Sequence, residues 1–124
     1  ERNLLAGHGV EFSVMGTGFT WDTQNRATDI AAATVVWADA LRFLRDPSID
    51  VVLLDELTYM VAYDYIPLEQ VLTALRERPP MQHVVITGRG CPRELIDLAD
   101  TVSRVQSVKH AYEAGVRVQK GIDW

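Results

Sequence analysis

Three groups of residues carry the side-chain types that catalysis or ligand binding draws on. Asp55-Glu56 directly follows the apolar run Val51-Val52-Leu53-Leu54. Adjacent carboxylates there offer hard oxygen donors to a divalent cation beside a polyphosphate, an ion that keeps several waters and needs only one or two carboxylates. The alternative is a structural pair, Asp55 capping the next turn and Glu56 solvated. The second group is Gly16-Thr17-Gly18-Phe19-Thr20-Trp21-Asp22, which sets two large aromatics among glycines. Exposed aromatics are costly, so Phe19 and Trp21 either pack onto the domain or wall a site for a flat apolar ligand. The third is Thr87-Gly88-Arg89-Gly90. Its glycines allow backbone N–H groups to approach an anion, and Arg89 has the fork that clamps phosphate, though a plain surface arginine fits as well.

Other chemistries lack their residues. His8, His83 and His110 share no close spacing with one another or with Cys91, as zinc ligands would, and read as surface or strand-edge residues. Cys91 precedes Pro92 at a helix start, where a helix dipole would lower its pKa; without a partner histidine, capping or packing is the better reading. Tyr59, Tyr63 and Tyr65, beside Met60 and Val61, read as packing their segment against the core. No Gly-x-x-x-x-Gly-Lys-[Ser/Thr] phosphate loop occurs in the 124 residues.

The elements that must position these groups follow from the apolar pattern. Gly9–Met15 alternates, with Val10, Phe12 and Val14 on one face of an expected strand. Asn25–Arg45 reads as the longest helix, its stripe formed by Ile30, Trp37, Leu41 and Leu44, with Asp46-Pro47 as the stop. Ile49–Leu54 and His83–Thr87 read as strands buried on both faces, the pattern of a parallel sheet covered by helices. Leu68–Arg78 is a helix that buries Val71, Leu72 and Leu75 behind Pro67, and Pro92 to about Leu98 is a shorter one that buries Leu95 and Leu98. Thr101–Lys109 reads as an edge strand through Val102 and Val105. Alternating strands and helices imply one α/β domain over residues 1–124 with a mostly parallel sheet, in which ligands bind at the carboxyl ends of the strands.

Composition agrees with that class. The chain is 48% hydrophobic and 23% charged, with a formal charge of −5, which opposes disorder and gives no basic face for nucleic acid. No run approaches the roughly 20 apolar residues of a membrane span, and one cysteine allows no disulfide framework. A reducing cytoplasm is the expected setting.

Four segments, in order along the whole chain, resemble the signatures of one family. They are Gly18-Phe19-Thr20-Trp21-Asp22-Thr23-Gln24-Asn25-Arg26, Leu54-Asp55-Glu56-Leu57-Thr58-Tyr59, Ile86-Thr87-Gly88-Arg89-Gly90 and the closing Gly121-Ile122-Asp123-Trp124. The family is the P-loop-type ATP:corrinoid adenosyltransferases, which move the 5′-deoxyadenosyl group of ATP to the cobalt of a reduced corrinoid and release triphosphate.

The resemblance implies a three-layer, mostly parallel sheet of the P-loop NTPase (RecA-like) type. It puts Phe19 and Trp21 against the lower face of the corrin, where they displace the axial ligand and leave four-coordinate Co(II). It also implies Mg²⁺ (or Mn²⁺) on Glu56 with Asp55 in support, Gly88 and Arg89 near the nucleotide, and Arg26 near the corrinoid loop. A flavodoxin-type reductant and a homodimer complete the picture. Members carry a strand, a phosphate loop and a helix ahead of the position of Glu1, so the resemblance implies N-terminal truncation, impaired MgATP binding and a rearranged or strand-swapped dimer. A non-catalytic corrinoid- or nucleotide-binding module and a generic P-loop-like ATPase fragment are the alternatives.

Overall fold

The computed structural model describes residues 2–14 and 26–119. Its elements are α1 (Arg2–Leu5), α2 (Arg26–Arg45), β1 (Val51–Leu54), α3 (Leu57–Ala62), α4 (Leu68–Glu77), β2 (His83–Ile86) and α5 (Arg93–Leu98), with 3₁₀ turns at Ala6–His8 and Ala111–Ala114. β1 and β2 pair in parallel, Val51 beside His83 through Leu54 beside Ile86. The fold is thus α/β around a small parallel sheet.

Long helices form where the apolar spacing asks for them. α2 buries Ala33, Trp37, Ala40 and Leu44, and α4 buries Val71, Leu72 and Leu75 at helical intervals. α2 packs on α4 and β1, and α4 packs on α5. The core they enclose includes Val52, Leu57, Val61, Ile66 and Leu95. At roughly 1.5–3 kcal/mol for each fully buried Val, Leu or Ile side chain, this cluster is the main stabilising term.

Strand register is pinned at the start of β2 by a buried polar side chain. Gln82 is 4% exposed, and its Nε2 donates to the carbonyls of Phe43, Asp46 and Ile49 at 3.0, 3.2 and 3.1 Å. The two N–H groups of one amide are thus shared among three carbonyls, those of the last turn of α2 and of the α2–β1 connection. The His83 N–H donates to Asp50 O at 2.8 Å and starts the parallel ladder beside it.

Three sequence expectations change. The strand at Gly9–Met15 is not formed over its described part, residues 9–14, where Val10 and Val14 are exposed. That segment lies along α2 instead: Ser13 Oγ donates to Asp39 and Arg42 pairs with Glu11, both at 2.6 Å. Thr101–Lys109 is also not a strand, and Val105 is fully solvated at 97%. Val102 and Val105 are an odd number of residues apart, so in a strand they would point to opposite faces and give the sheet nothing to bury. Finally, the two strands are not covered on both faces. Val52, Leu54, Val84 and Ile86 meet the helices, while Val51, Leu53 and Val85 lie exposed on the other face. Only one helical layer stands against the sheet among the described residues, so the second outer layer of a three-layer arrangement is not seen there.

Among the described residues, no helix is long and apolar enough to cross a membrane.

Candidate active site

The carboxyl ends of β1 and β2 lie side by side because the strands are parallel and in register. That arrangement joins the acidic pair to the Gly-Arg turn. The Thr87 N–H donates to Leu54 O at 3.2 Å, carrying the ladder one step beyond the strands. Thr87 Oγ1 then donates to Asp55 Oδ1 at 2.6 Å and accepts the Glu56 N–H at 2.9 Å. One hydroxyl thus links Asp55 and Glu56.

Glu56 takes the left-handed conformation, φ 58° and ψ 20°, as the residue before α3. A non-glycine residue there is strained by about 1–3 kcal/mol, and such strain concentrates at functional positions. Its effect is to turn the chain sharply off the strand into α3, leaving the side chains of Asp55 and Glu56 exposed at the sheet edge.

The turn after β2 is fitted against α3. Thr58, 3% exposed, donates from Oγ1 to Arg89 O at 2.8 Å. Gly88 has φ 136°, and a Cβ built there would overlap Thr58 Oγ1. Glycine at 88 therefore satisfies both the backbone angle and the close approach. Gly88 and Arg89 are exposed, with Arg89 pinned by its backbone and its side chain free to reach outward.

α3 ends in a Schellman motif. The Asp64 N–H donates to Val61 O at 3.0 Å and the Tyr65 N–H to Met60 O at 2.8 Å, with Asp64 left-handed at φ 56°. Beyond it the tyrosines form a row. Tyr59 and Tyr63 stack at 5.9 Å with planes 12° apart, and Tyr65 lies 5.9 Å from Tyr63 at 43°. Tyr59 and Tyr65 are half-buried, but Tyr63 is exposed, so the expected packing of all three against the core holds only in part. Arg26, the first residue of α2, places its guanidinium 5.5 Å from the Tyr65 ring centroid.

The structure therefore brings Asp55, Glu56, Gly88 and Arg89 together, and sets Arg26 on the aromatic row. Phe19, Trp21 and the closing Gly121–Trp124 lie outside the described residues. Among the described residues, no three or more His, Cys, Asp or Glu side chains gather as a metal cage. The acidic pair alone offers hard oxygen donors, which suits an ion that keeps most of its waters and shares a phosphate chain. His8, His83 and His110 are exposed, as expected, and His110 Nδ1 only accepts the Tyr112 N–H. Cys91 does not gain an activated thiolate. Partial burial pushes its thiol pKa up, opposite to the lowering expected at a helix start.

In the sequence, Thr58 and Thr87 stand out only as members of longer motifs. Their work depends on which carbonyl and amide each hydroxyl meets across the sheet, 31 or 32 residues away. The one available signal was the placement of Thr87 at a strand's carboxyl end next to glycine.

Residues 1–124 match the family model described as "ATP:corrinoid adenosyltransferase BtuR/CobO/CobP". The chain is 66% identical over all of its residues to the corrinoid adenosyltransferase of Escherichia coli strain K12 and 64% identical to corrinoid adenosyltransferase CobA of Salmonella typhimurium, covering 63% of each. It is 47% identical to the corrinoid adenosyltransferase of Pseudomonas aeruginosa over 93% of the chain and 57% of that relative. The chain thus spans less than two-thirds of the length of these curated relatives. On these grounds the chain belongs to the ATP:corrinoid adenosyltransferase family.

Proposed function

We propose that the protein transfers the 5′-deoxyadenosyl group of ATP to the cobalt of a reduced corrinoid. The Co(I) electron pair attacks C5′, the C5′–O bond breaks, and its electrons leave with inorganic triphosphate. The observation that carries this reading is the meeting of Asp55-Glu56 with Gly88-Arg89 at the carboxyl ends of adjacent parallel strands, joined through Thr87. In open α/β sheets this edge is where ligands bind. The names of the relatives supply the reaction class.

In this reading Glu56 holds Mg²⁺ (or Mn²⁺) with Asp55 in support. When bound, that ion neutralises charge on the departing triphosphate. Arg89 and the open backbone at Gly88 face the nucleotide. Phe19 and Trp21 cover the lower face of the corrin and keep water from the Co(I) nucleophile. Arg26, the last residue of the segment Gly18-Phe19-Thr20-Trp21-Asp22-Thr23-Gln24-Asn25-Arg26, is assigned to the corrinoid side. No Gly-x-x-x-x-Gly-Lys-[Ser/Thr] occurs within the 124 residues. The finer reading of the fold is a P-loop NTPase-type domain to which all 124 residues belong, acting as a homodimer in the cytoplasm with a flavodoxin-type reductant.

Corrinoid spectroscopy tests the reading. With MgATP present, cob(II)alamin should shift toward its four-coordinate spectrum, and Phe19→Ala and Trp21→Ala should each abolish the shift. Glu56→Gln should keep corrinoid binding and lose adenosylation of cob(I)alamin. A wild-type protein that gives no spectral response and forms no cobalt–carbon bond overturns the proposal.

A further inference from the structure

We propose that Thr87 is a positioning residue of this site, acting through Asp55 and Glu56; the inference rests on the adenosyltransferase reading above. Its backbone is anchored by the ladder bond to Leu54 O, so the hydroxyl is delivered to a fixed place. From there it fills two roles at once. As a donor it reaches Asp55 Oδ1 at 2.6 Å, and as an acceptor it takes the Glu56 N–H at 2.9 Å. A threonine hydroxyl has one proton and two lone pairs, so both bonds can form together.

The Glu56 amide belongs to a strained residue, since Glu56 turns left-handed without glycine's freedom. Without an acceptor, that amide would favour a backbone angle that rotates the Glu56 carboxylate off the sheet edge. The Asp55 carboxylate would likewise lose the bond that fixes its orientation. Groups of this kind, which hold a ligand's partner rather than the ligand itself, alter metal affinity by roughly 10–100-fold when removed. The rest of the frame does not depend on the hydroxyl. Val84 and Ile86 keep their packing, and Thr58 keeps its own bond to Arg89 O.

The test compares the Mn²⁺·ATP complex bound by wild-type protein, Thr87→Val, Thr87→Ser and Glu56→Gln, using calorimetry for affinity and electron paramagnetic resonance for the Mn²⁺ environment. Valine keeps the shape and removes the hydroxyl, while serine keeps the hydroxyl and removes the methyl. The expected result is affinity weaker by about 10-fold or more in Thr87→Val with an altered Mn²⁺ signal, and recovery to within about 3-fold in Thr87→Ser. The four-coordinate cob(II)alamin spectrum should survive in both. Should valine not be tolerated, Thr87→Ala serves the same comparison, because the ladder bond uses only the backbone. Wild-type affinity in the valine or alanine variant, or equal losses in valine and serine, overturns the positioning role. Loss in Glu56→Gln beside an unaffected Thr87→Val removes this inference and leaves the adenosyltransferase reading standing. No effect in Glu56→Gln removes both.

Discussion

Replacing Gly88 with alanine is the sharpest perturbation of the joint between the two loops. Two costs arise together. Gly88 has φ 136°, a region an L-residue enters at about 1–3 kcal/mol. The new Cβ also overlaps Thr58 Oγ1, which is buried and already bonded to Arg89 O at 2.8 Å. Moving that hydroxyl sacrifices the bond, worth about 0.5–1.5 kcal/mol net. The combined loss is about 1.5–4.5 kcal/mol, a large part of the 5–15 kcal/mol that holds a typical domain folded. Urea unfolding followed by circular dichroism measures it, and a double-mutant cycle with Thr58→Ala isolates its cause. Removing Oγ1 removes the nearest collision, so Gly88→Ala should cost less in the Thr58→Ala background than in wild type, by about 1 kcal/mol. Wild-type stability in Gly88→Ala, or strict additivity in the cycle, would refute the claim that close approach to Thr58 is what demands glycine.

Three further outcomes follow from the packing and charges. Leu72 is 1% exposed between α4 and its neighbours, so Leu72→Ala should destabilise by about 2–5 kcal/mol in the same unfolding assay. Gln82→Leu leaves the carbonyls of Phe43, Asp46 and Ile49 without their shared donor, and it should destabilise by about 1–3 kcal/mol despite the added apolar surface. Asp46 accepts the Ser48 hydroxyl and backbone N–H, and the hydroxyl is the larger cause of a carboxyl pKa below the ordinary range. A lowered folded-state pKa contributes stability above the unfolded value of about 3.9, lost as pH falls through the folded value. Ser48→Ala should therefore be less stable than wild type at pH 6–7, with the gap narrowing as pH falls below the unfolded carboxyl value and through the lowered folded one; a gap that stays constant with pH contradicts the assignment.

The parts legible in the sequence were those carried by period and by local chemistry. α2, α4 and α5 were expected within a residue or two of their observed bounds, because apolar spacing and flanking prolines act locally. The strand cores at Val51–Leu54 and His83–Ile86 were legible as short apolar runs, and so was the position of the acidic and Gly-Arg groups at their carboxyl ends. Segments whose state depends on a partner were not legible. Val10–Val14 has strand-like alternation, yet its polar side chains found α2 rather than a sheet edge. α3 was missed because six residues containing three β-branched or aromatic side chains, Thr58, Tyr59 and Val61, have weak intrinsic helicity. What makes it helical is burial of Leu57, Thr58 and Val61, which only the folded core provides.

That dependence explains how the site tolerates its strain. The left-handed residues Glu56 and Asp64 bracket α3 at its two ends, each at an expected cost of order 1 kcal/mol or more. The start of the helix has no side-chain cap, since Glu56 makes no capping bond. The compensation comes from the buried face: Leu57 and Val61 contribute roughly 1.5–3 kcal/mol each, and Thr58 adds its bond to Arg89 O. α3 thus acts as a wedge. Its apolar side is held by the core, and its start fixes the direction in which the chain leaves β1. The carboxylates of Asp55 and Glu56 lie at that departure point, so their placement is set by packing on the far side of the helix as well as by Thr87. Val61→Ala, a core change with no atom at the site, should accordingly weaken Mn²⁺·ATP binding more than an equally destabilising change in α2 such as Ala33→Gly. Equal effects at matched stability would show that the wedge does not transmit position to the carboxylates.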